Sequence, residues 1–337
     1  MKAKVVIVLI LLVLSLPTWT WAQEAVIRVG AFPNITHAQA MIGKANGAFD
    51  KAMGPVKVEW KMFNAGPSAI EALFAGAIDM TYIGPNPAIN GYVRSNGEAL
   101  RIIAGATSGG AALVVRNDSG IQKAEDFHGK RVASPQMGNT QDVALRAWII
   151  AHGMKTTDKG GDVQVIPIAN PDQLTLFLKK ELDGAWAPEP WASRLIREAN
   201  GRLFLDERDL WPNGQFITAH LIVNTKFLQA HPDLVKKWLR AHVELTEWIN
   251  GHLPEAKQIL NAQIQKDTGK ALSTAVLDDS FSRLQITYDP LRGSLMNAAK
   301  SAFDAGFLGR QMPDLSGLYD LNPLNQVLAE KGKKPIQ

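Results

Sequence analysis

One stretch of this sequence occurs twice in altered form, and it limits the folds open to the chain. FAGAIDMTYIGPNP over 74–87 is answered by FLKKELDGAWAPEP over 177–190. Each copy leaves the apolar end of a helix and passes an Asp, Asp79 or Asp183. An aromatic residue follows three positions on, Tyr82 or Trp186, and then a Pro-x-Pro turn. Proline at strand-to-helix turns is common enough for chance to produce such a match. The flanking segments repeat as well, and this favours two similar lobes.

Around the first copy, period-two and short apolar runs predict strands over 26–30, 56–60, 78–83, 100–106 and 111–116, with helices between them. After Asn117-Asp118-Ser119-Gly120 the alternation restarts. Strands are predicted over 130–134, 163–168 and 182–187, and helices over 140–152, 172–180 and 191–200. A strand over 216–223 returns the chain. The remainder is read as helices over 232–250, 254–268, 273–283 and 293–306, then a loop-rich tail with a short helix near 324–331. Strand and helix in alternation give α/β sheets with helices on both faces. At ~150 residues per domain, a chain of 337 residues suits two domains.

The N-terminus sets the compartment. Lys2 and Lys4 precede an apolar run over 5–16, Pro17 breaks it, and Thr20-Trp21-Ala22 offers small residues at both ends of a cleavage tripeptide. This is the layout of a secretory signal peptide, 1–22, cut after Ala22. The apolar core is shorter than the ~20 residues that span a bilayer. With no cysteine, the chain has no disulfide, no thiolate nucleophile and no lipidated anchor cysteine. A location in the periplasm follows as the expectation. The formal charge of +4 is scattered, and Lys2 and Lys4 contribute part of it. Nothing in it calls for nucleic acid, while an anionic ligand is permitted.

In open α/β sheets ligands bind beyond the carboxyl ends of the strands. Those ends here carry Asn34, Ser68, Asn86, Asn139, Thr140, Gln141, Glu189 and Trp191. Several are amide or hydroxyl residues that open helices, where free backbone N–H groups favour anions. Each also suits a simple helix cap. Trp191, and with it Phe32, Tyr82 and Trp186, offers an aromatic wall. Glu189 offers an acceptor for an amine, or a first-turn acid for its own helix. No G-x-S-x-G, H-E-x-x-H or P-loop pattern occurs, no nucleophile lies beside a base, and no His/Asp/Glu cluster has metal-ligand spacing. No catalytic residue, metal site or cofactor is expected. His37 alone among the histidines falls on a strand-end loop, where a structural role is the commoner one.

Four strings add a resemblance. GPSAIEALFAGAID (66–79), DFHGKRVA (126–133), GNTQDVALR (138–146) and APEPW (187–191) resemble the substrate-binding proteins of ABC importers for nitrate, aliphatic sulfonates and taurine. The resemblance implies a type II periplasmic binding protein fold, two α/β lobes joined by two crossing segments that close on a ligand. The lobes fall over 23–112 with 216–337, and over 113–215, with crossings near 108–114 and 214–220. By position, the family's contacts fall on Asn34, Ser68, Asn86, Gly110, Asn139, Thr140, Gln141, Glu189 and Trp191. Gly109-Gly110 suits a hinge or a close approach. The implied function is periplasmic capture of a small anionic organic compound, an aliphatic sulfonate or taurine, by a monomer that serves a permease at the inner membrane. Nitrate-type receptors carry a Lys and a His in the pocket, and no such Lys is placed here. Receptors for nitrate or bicarbonate, for thiamine-precursor pyrimidines and for riboflavin remain alternatives, with a pyrimidine-synthesis enzyme of the same fold the remotest.

Overall fold

The computed structural model describes residues 25–337, so the signal peptide expected over 1–22 lies outside the described residues. The chain enters on β1 (Val26–Ala31), α1 (Ala38–Asn46), α2 (Ala48–Met53), β2 (Lys57–Met62), α3 (Gly66–Phe74), β3 (Met80–Ile83), α4 (Pro85–Arg94) and β4 (Leu100–Gly109). It then crosses to β5 (Ala111–Arg116), β6 (Arg131–Ser134), α5 (Thr140–Ala151), β7 (Gln164–Pro167), α6 (Asn170–Leu178), β8 (Gly184–Pro188), α7 (Trp191–Glu198) and β9 (Gly201–Asp206). It returns on β10 (Ile217–Asn224), α8 (Thr225–Ala230), α9 (Pro232–Gly251), α10 (Leu253–Thr268), α11 (Thr274–Ser282), β11 (Leu284–Ile286), α12 (Arg292–Asp304) and α13 (Asn322–Glu330).

Two sheets result. The first has six strands in the order β11-β4-β10-β3-β1-β2, and the second has five in the order β7-β6-β8-β5-β9. The two share one plan. In each, three parallel strands (β2-β1-β3 and β7-β6-β8) meet an antiparallel strand that comes from the other side of a crossing (β10 and β5). Strand membership changes sheet between Gly109 and Ala111 and again between Asp206 and Ile217. Both faces of each sheet are covered, which is why β3 and β8 are buried along their whole length. On one face of the first sheet Trp238 of α9 stacks on Phe49 at 3.9 Å; α4 and α12 contribute to the core on the other face.

The repeated string has a physical basis. Asp79 accepts the backbone N–H of Arg28 at 2.8 Å, and Asp183 accepts that of Arg131 at 2.9 Å. The arginine of each pair donates to a carbonyl just ahead of its aspartate, Arg28 to Gly76 and Arg131 to Lys180. Gly76 and Lys180 both take positive φ, at 64° and 61°. One clasp is thus built twice, each tying the start of a central parallel strand to the turn before its neighbour.

Two strands are missing from the sequence expectation. β9 is an edge strand whose Leu203 is exposed, and β11 is three residues long, too short for a period to register.

Candidate functional site

The carboxyl ends of β1, β2, β3, β6, β7 and β8 converge where the two sheets face each other. The cavity there is lined by Phe32, Asn34, Thr36 and His37 after β1, Asn64 and Ala65 after β2, and Gly84 after β3. From the second lobe come Asn139, Thr140 and Gln141 at the start of α5, Asn170 at the start of α6, and Pro188 at the end of β8, with Thr218 of β10 completing the wall. Its free volume is about 20 Å³, space for about one water-sized body.

The lobes touch through polar groups around this space. Trp191 donates its indole N–H to Asn34 Oδ1 at 3.0 Å. Asn139 Oδ1 accepts the first N–H of α3, from Gly66, at 3.2 Å, while its amide donates to Gln141 Oε1 at 2.9 Å. At the rim, the Ser68 hydroxyl donates to Gln136 Oε1 at 3.3 Å. A Cβ on Gly84 would stand 2.2 Å from Thr140 Oγ1, so glycine lets the second lobe come this close.

The lining is uncharged. None of its residues is Lys, Arg, Asp or Glu, and burial drops the pKa of His37 to about 3, which keeps it neutral. Its Nδ1 accepts the N–H of Phe32 at 3.2 Å, so the proton sits on Nε2 as a donor. Two buried side-chain atoms of the lining, Thr140 Oγ1 and Asn170 Oδ1, have no partner among the described residues. Both belong to first residues of helices, α5 and α6, whose opening N–H groups carry partial positive charge. An orphaned buried polar atom costs roughly 1–3 kcal/mol, and two of them lie at this one cavity. Among the described residues no group of three or more His, Asp or Glu is placed to hold a metal ion.

The structure brings Asn34, Asn139, Thr140 and Gln141 into this lining. It removes others from direct contact with the cavity. Asn86 turns away and donates to the Ala298 carbonyl of α12 at 3.2 Å, because α12 covers α4. Gly110 sits at the crossing with φ 78°, its N–H given to Arg283 O and its carbonyl taken by Glu189 N–H, so its role there is backbone geometry. Glu189 is fully buried, paired with Arg283 at 2.9 Å and bonded to Ser280 Oγ and the Ser193 N–H. Its acceptors are used, so it is not the amine acceptor the sequence suggested. Burial pushes its pKa up, against the pull of Arg283. Ser68 is exposed at the rim, and Trp191 closes the cleft beside the cavity. Tyr82 and Trp186 are core, bonded to His242 and Glu207.

Sequence reasoning passed over His37, Asn64, Asn170 and Thr218 as site residues. Asn64 and Asn170 each stand just beyond a parallel strand, so the strand-end rule reaches them once β2 and β7 are bounded correctly. Thr218 lies at the start of an antiparallel strand, where that rule does not look.

Comparison with known proteins fits this geometry. A profile of the NMT1-like family matches residues 22–264. The taurine-binding periplasmic protein of Escherichia coli (strain K12) is 26% identical over 174 residues, 51% of this chain and 50% of that one. The chain thus spans about half the length of the curated relatives it matches. Among solved structures, the alkanesulfonate-binding protein of Xanthomonas axonopodis pv. citri bound to MOPS superposes with a TM-score of 0.72 at 18% identity, over 86% of this chain and 96% of that one. The periplasmic nitrate-binding protein of Synechocystis PCC 6803 gives 0.77 at 16% identity, over 91% and 89%. These likenesses establish the periplasmic binding protein fold, two α/β lobes joined by two crossings, as the sequence led one to expect.

Proposed function

The chain belongs to the NMT1-like family, and on that premise we propose that it is the periplasmic substrate-binding protein of an ABC importer. Its ligand is a small anionic organic compound, an aliphatic sulfonate or taurine, held between the lobes. The observation that carries this reading is an uncharged cavity at the strand ends, where the orphaned Thr140 hydroxyl is free to donate at a helix N-terminus, while the orphaned Asn170 Oδ1 accepts and suits an amine on the ligand. Neutral donors and helix ends stabilise an oxyanion without a fixed cation. The taurine-binding relative supports the ligand class.

In this reading Asn34, Asn139, Thr140, Gln141 and the Nε2–H of His37 face the head group. Residues up to Gly109 and from Ile217 onward form one lobe, 111–206 form the other, and the two segments between them are the hinge. The protein works as a monomer, is exported after cleavage near Ala22, has no catalytic role and hands its ligand to a membrane permease. Thermal-shift screening of the mature chain tests the ligand class. Taurine and alkanesulfonates are expected to raise stability, by ~2.7 kcal/mol at a hundredfold excess over Kd. Stabilisation by an unrelated ligand and by no sulfonate would sink the assignment.

A further inference from the structure

The two flanks of the cleft are built differently. On one, α7 of the second lobe packs against α11 of the first, and ion pairs cross between the lobes. Arg197 meets Asp279 at 2.5 Å, Glu198 meets Lys270 at 2.9 Å, and Glu189 meets Arg283 at 2.9 Å. On the other flank α5 packs against α12, and among the described residues no ion pair crosses. Arg146 pairs with Asp142 and Asp158 of its own lobe, at 3.2 and 3.1 Å, and Asp304 pairs with Lys300 of its own helix at 2.6 Å. Lys155 and Lys159 are exposed, and their ammonium groups have no partner among the described residues. Along this seam runs a groove of about 500 Å³. The second lobe gives it Ile150, Met154 and the two lysines, and the first lobe closes it with residues 304–306. A Cβ on Gly306 would stand 3.9 Å from Lys159 Nζ, so the lobes face each other across it.

We propose that this groove docks an acidic, partly apolar segment of the membrane permease. The identity of the partner rests on the receptor reading, and its chemistry rests on the groove. The end of α12 brings only partial negative charge to the lysines, and Asp304 is already engaged, so the lip keeps an excess of positive charge. Carboxylates of the partner supply here the counter-charge that Asp279 and Glu198 supply on the opposite flank. Ile150, 47% exposed on the last turn of α5, offers an apolar contact in the same groove. A recessed seam between two helices admits a chain segment, whereas a flat bilayer would meet only its lips. Each wall belongs to a different lobe, so a segment seated there favours the arrangement in which the lobes are together. By this contact the permease distinguishes the closed receptor from the open one.

Amide shifts in NMR spectra of the mature chain locate such a contact. The probes are a short peptide alternating leucine and glutamate, its leucine–lysine counterpart, and phosphatidylglycerol vesicles. We expect the glutamate peptide alone to shift the amides of 150–159 and 304–306. Lys155→Glu with Lys159→Glu should weaken it at least tenfold. Lys179→Glu with Lys226→Glu, an equal charge change elsewhere on the surface, should weaken it less than twofold. All four lysines are exposed, so both variants should keep the fold. The peptide should also tighten taurine binding, by the same factor as taurine tightens the peptide. No groove shifts with the glutamate peptide, equal losses in the two variants, or stronger groove shifts from the vesicles overturn the proposal. Taurine bound without any such coupling overturns the preference for the closed arrangement. Absence of taurine binding with the groove shifts intact overturns the ligand assignment and leaves the chemistry of the groove standing.

Discussion

Thr140 concentrates the argument at the scale of the residue. Its hydroxyl is buried and unpartnered, so Thr140→Val removes a group whose lost hydration costs the fold stability. We expect unchanged or slightly higher stability in chemical denaturation, and about tenfold weaker ligand binding, the worth of one hydrogen bond to a charged group. Glu207 gives the second residue-level prediction. Its carboxylate lies in the segment between β9 and β10, where the Trp186 indole donates to it at 2.7 Å and Trp211 also bonds it. Burial, with Asp206 nearby, lifts its pKa from 4.5 to about 7. Between those values the folded chain holds a proton that the unfolded chain has released, so stability falls as pH rises through this window and is lowest above about 7. The buried His37, His220 and His242, lowered to about 3, 4 and 4, act oppositely: stability drops as pH falls below 6.5. The histidines act alike in wild type and in Glu207→Gln, so the difference between the two melted from pH 6.5 to 8 isolates Glu207. Wild type should lose about 1 kcal/mol relative to Glu207→Gln across that range, and a constant difference would overturn the assignment. Legibility at this scale is uneven. Thr140 and Asn139 could be named because they open a helix after a strand. The commitment of Glu189 could not, since its partners Ser280 and Arg283 lie some ninety positions away.

Elements were read best where local chemistry determines them. The helices over 140–151 and 232–251 and the strands beside the first crossing stood close to their expected bounds, because apolar runs and prolines delimit them. β9 depends on pairing with β5, a tertiary fact with weak local trace. The repeated clasp lies between these cases. Its aspartates were visible as an echo, while its arginines became partners only in the folded sheets. Asp183→Ala leaves the Arg131 N–H without its acceptor and leaves the nearby Arg116 paired with Asp118 alone. A loss of ~1–3 kcal/mol in urea unfolding is expected, with a similar loss for Asp79→Ala. If either substitution is silent, the clasp is not what anchors the central strands.

Across the whole molecule, the two lobes are held by a buried ion pair at the crossings. Glu189 follows β8 of one lobe, and Arg283 precedes β11 of the other. A Cβ at Gly109 would stand 2.5 Å from the Arg283 carbonyl, and its φ is 72°, so glycine is required where the chain passes this pair. Glu189→Ala leaves the Arg283 charge without its partner and should cost ~3–5 kcal/mol in denaturant unfolding. The double change Glu189→Met with Arg283→Met should recover most of that loss. No recovery would mean that the pair contributes through its geometry and not through charge compensation. The two-lobed plan could be read from the sequence because the alternation restarts. The pairing that joins the lobes could not, since it depends on how they dock.

The bond from the Trp191 indole to Asn34 reaches across the cleft, beside a guanidinium stacked on the same ring. An indole in that setting reports on its surroundings through its emission. The chain therefore carries its own optical gauge. Whenever the lobes part, Trp191 exchanges an amide partner for water, and its fluorescence shifts to longer wavelength. Ligand titration should move that spectrum in proportion to occupancy, and Trp191→Phe should abolish the shift while the other tryptophans continue to emit.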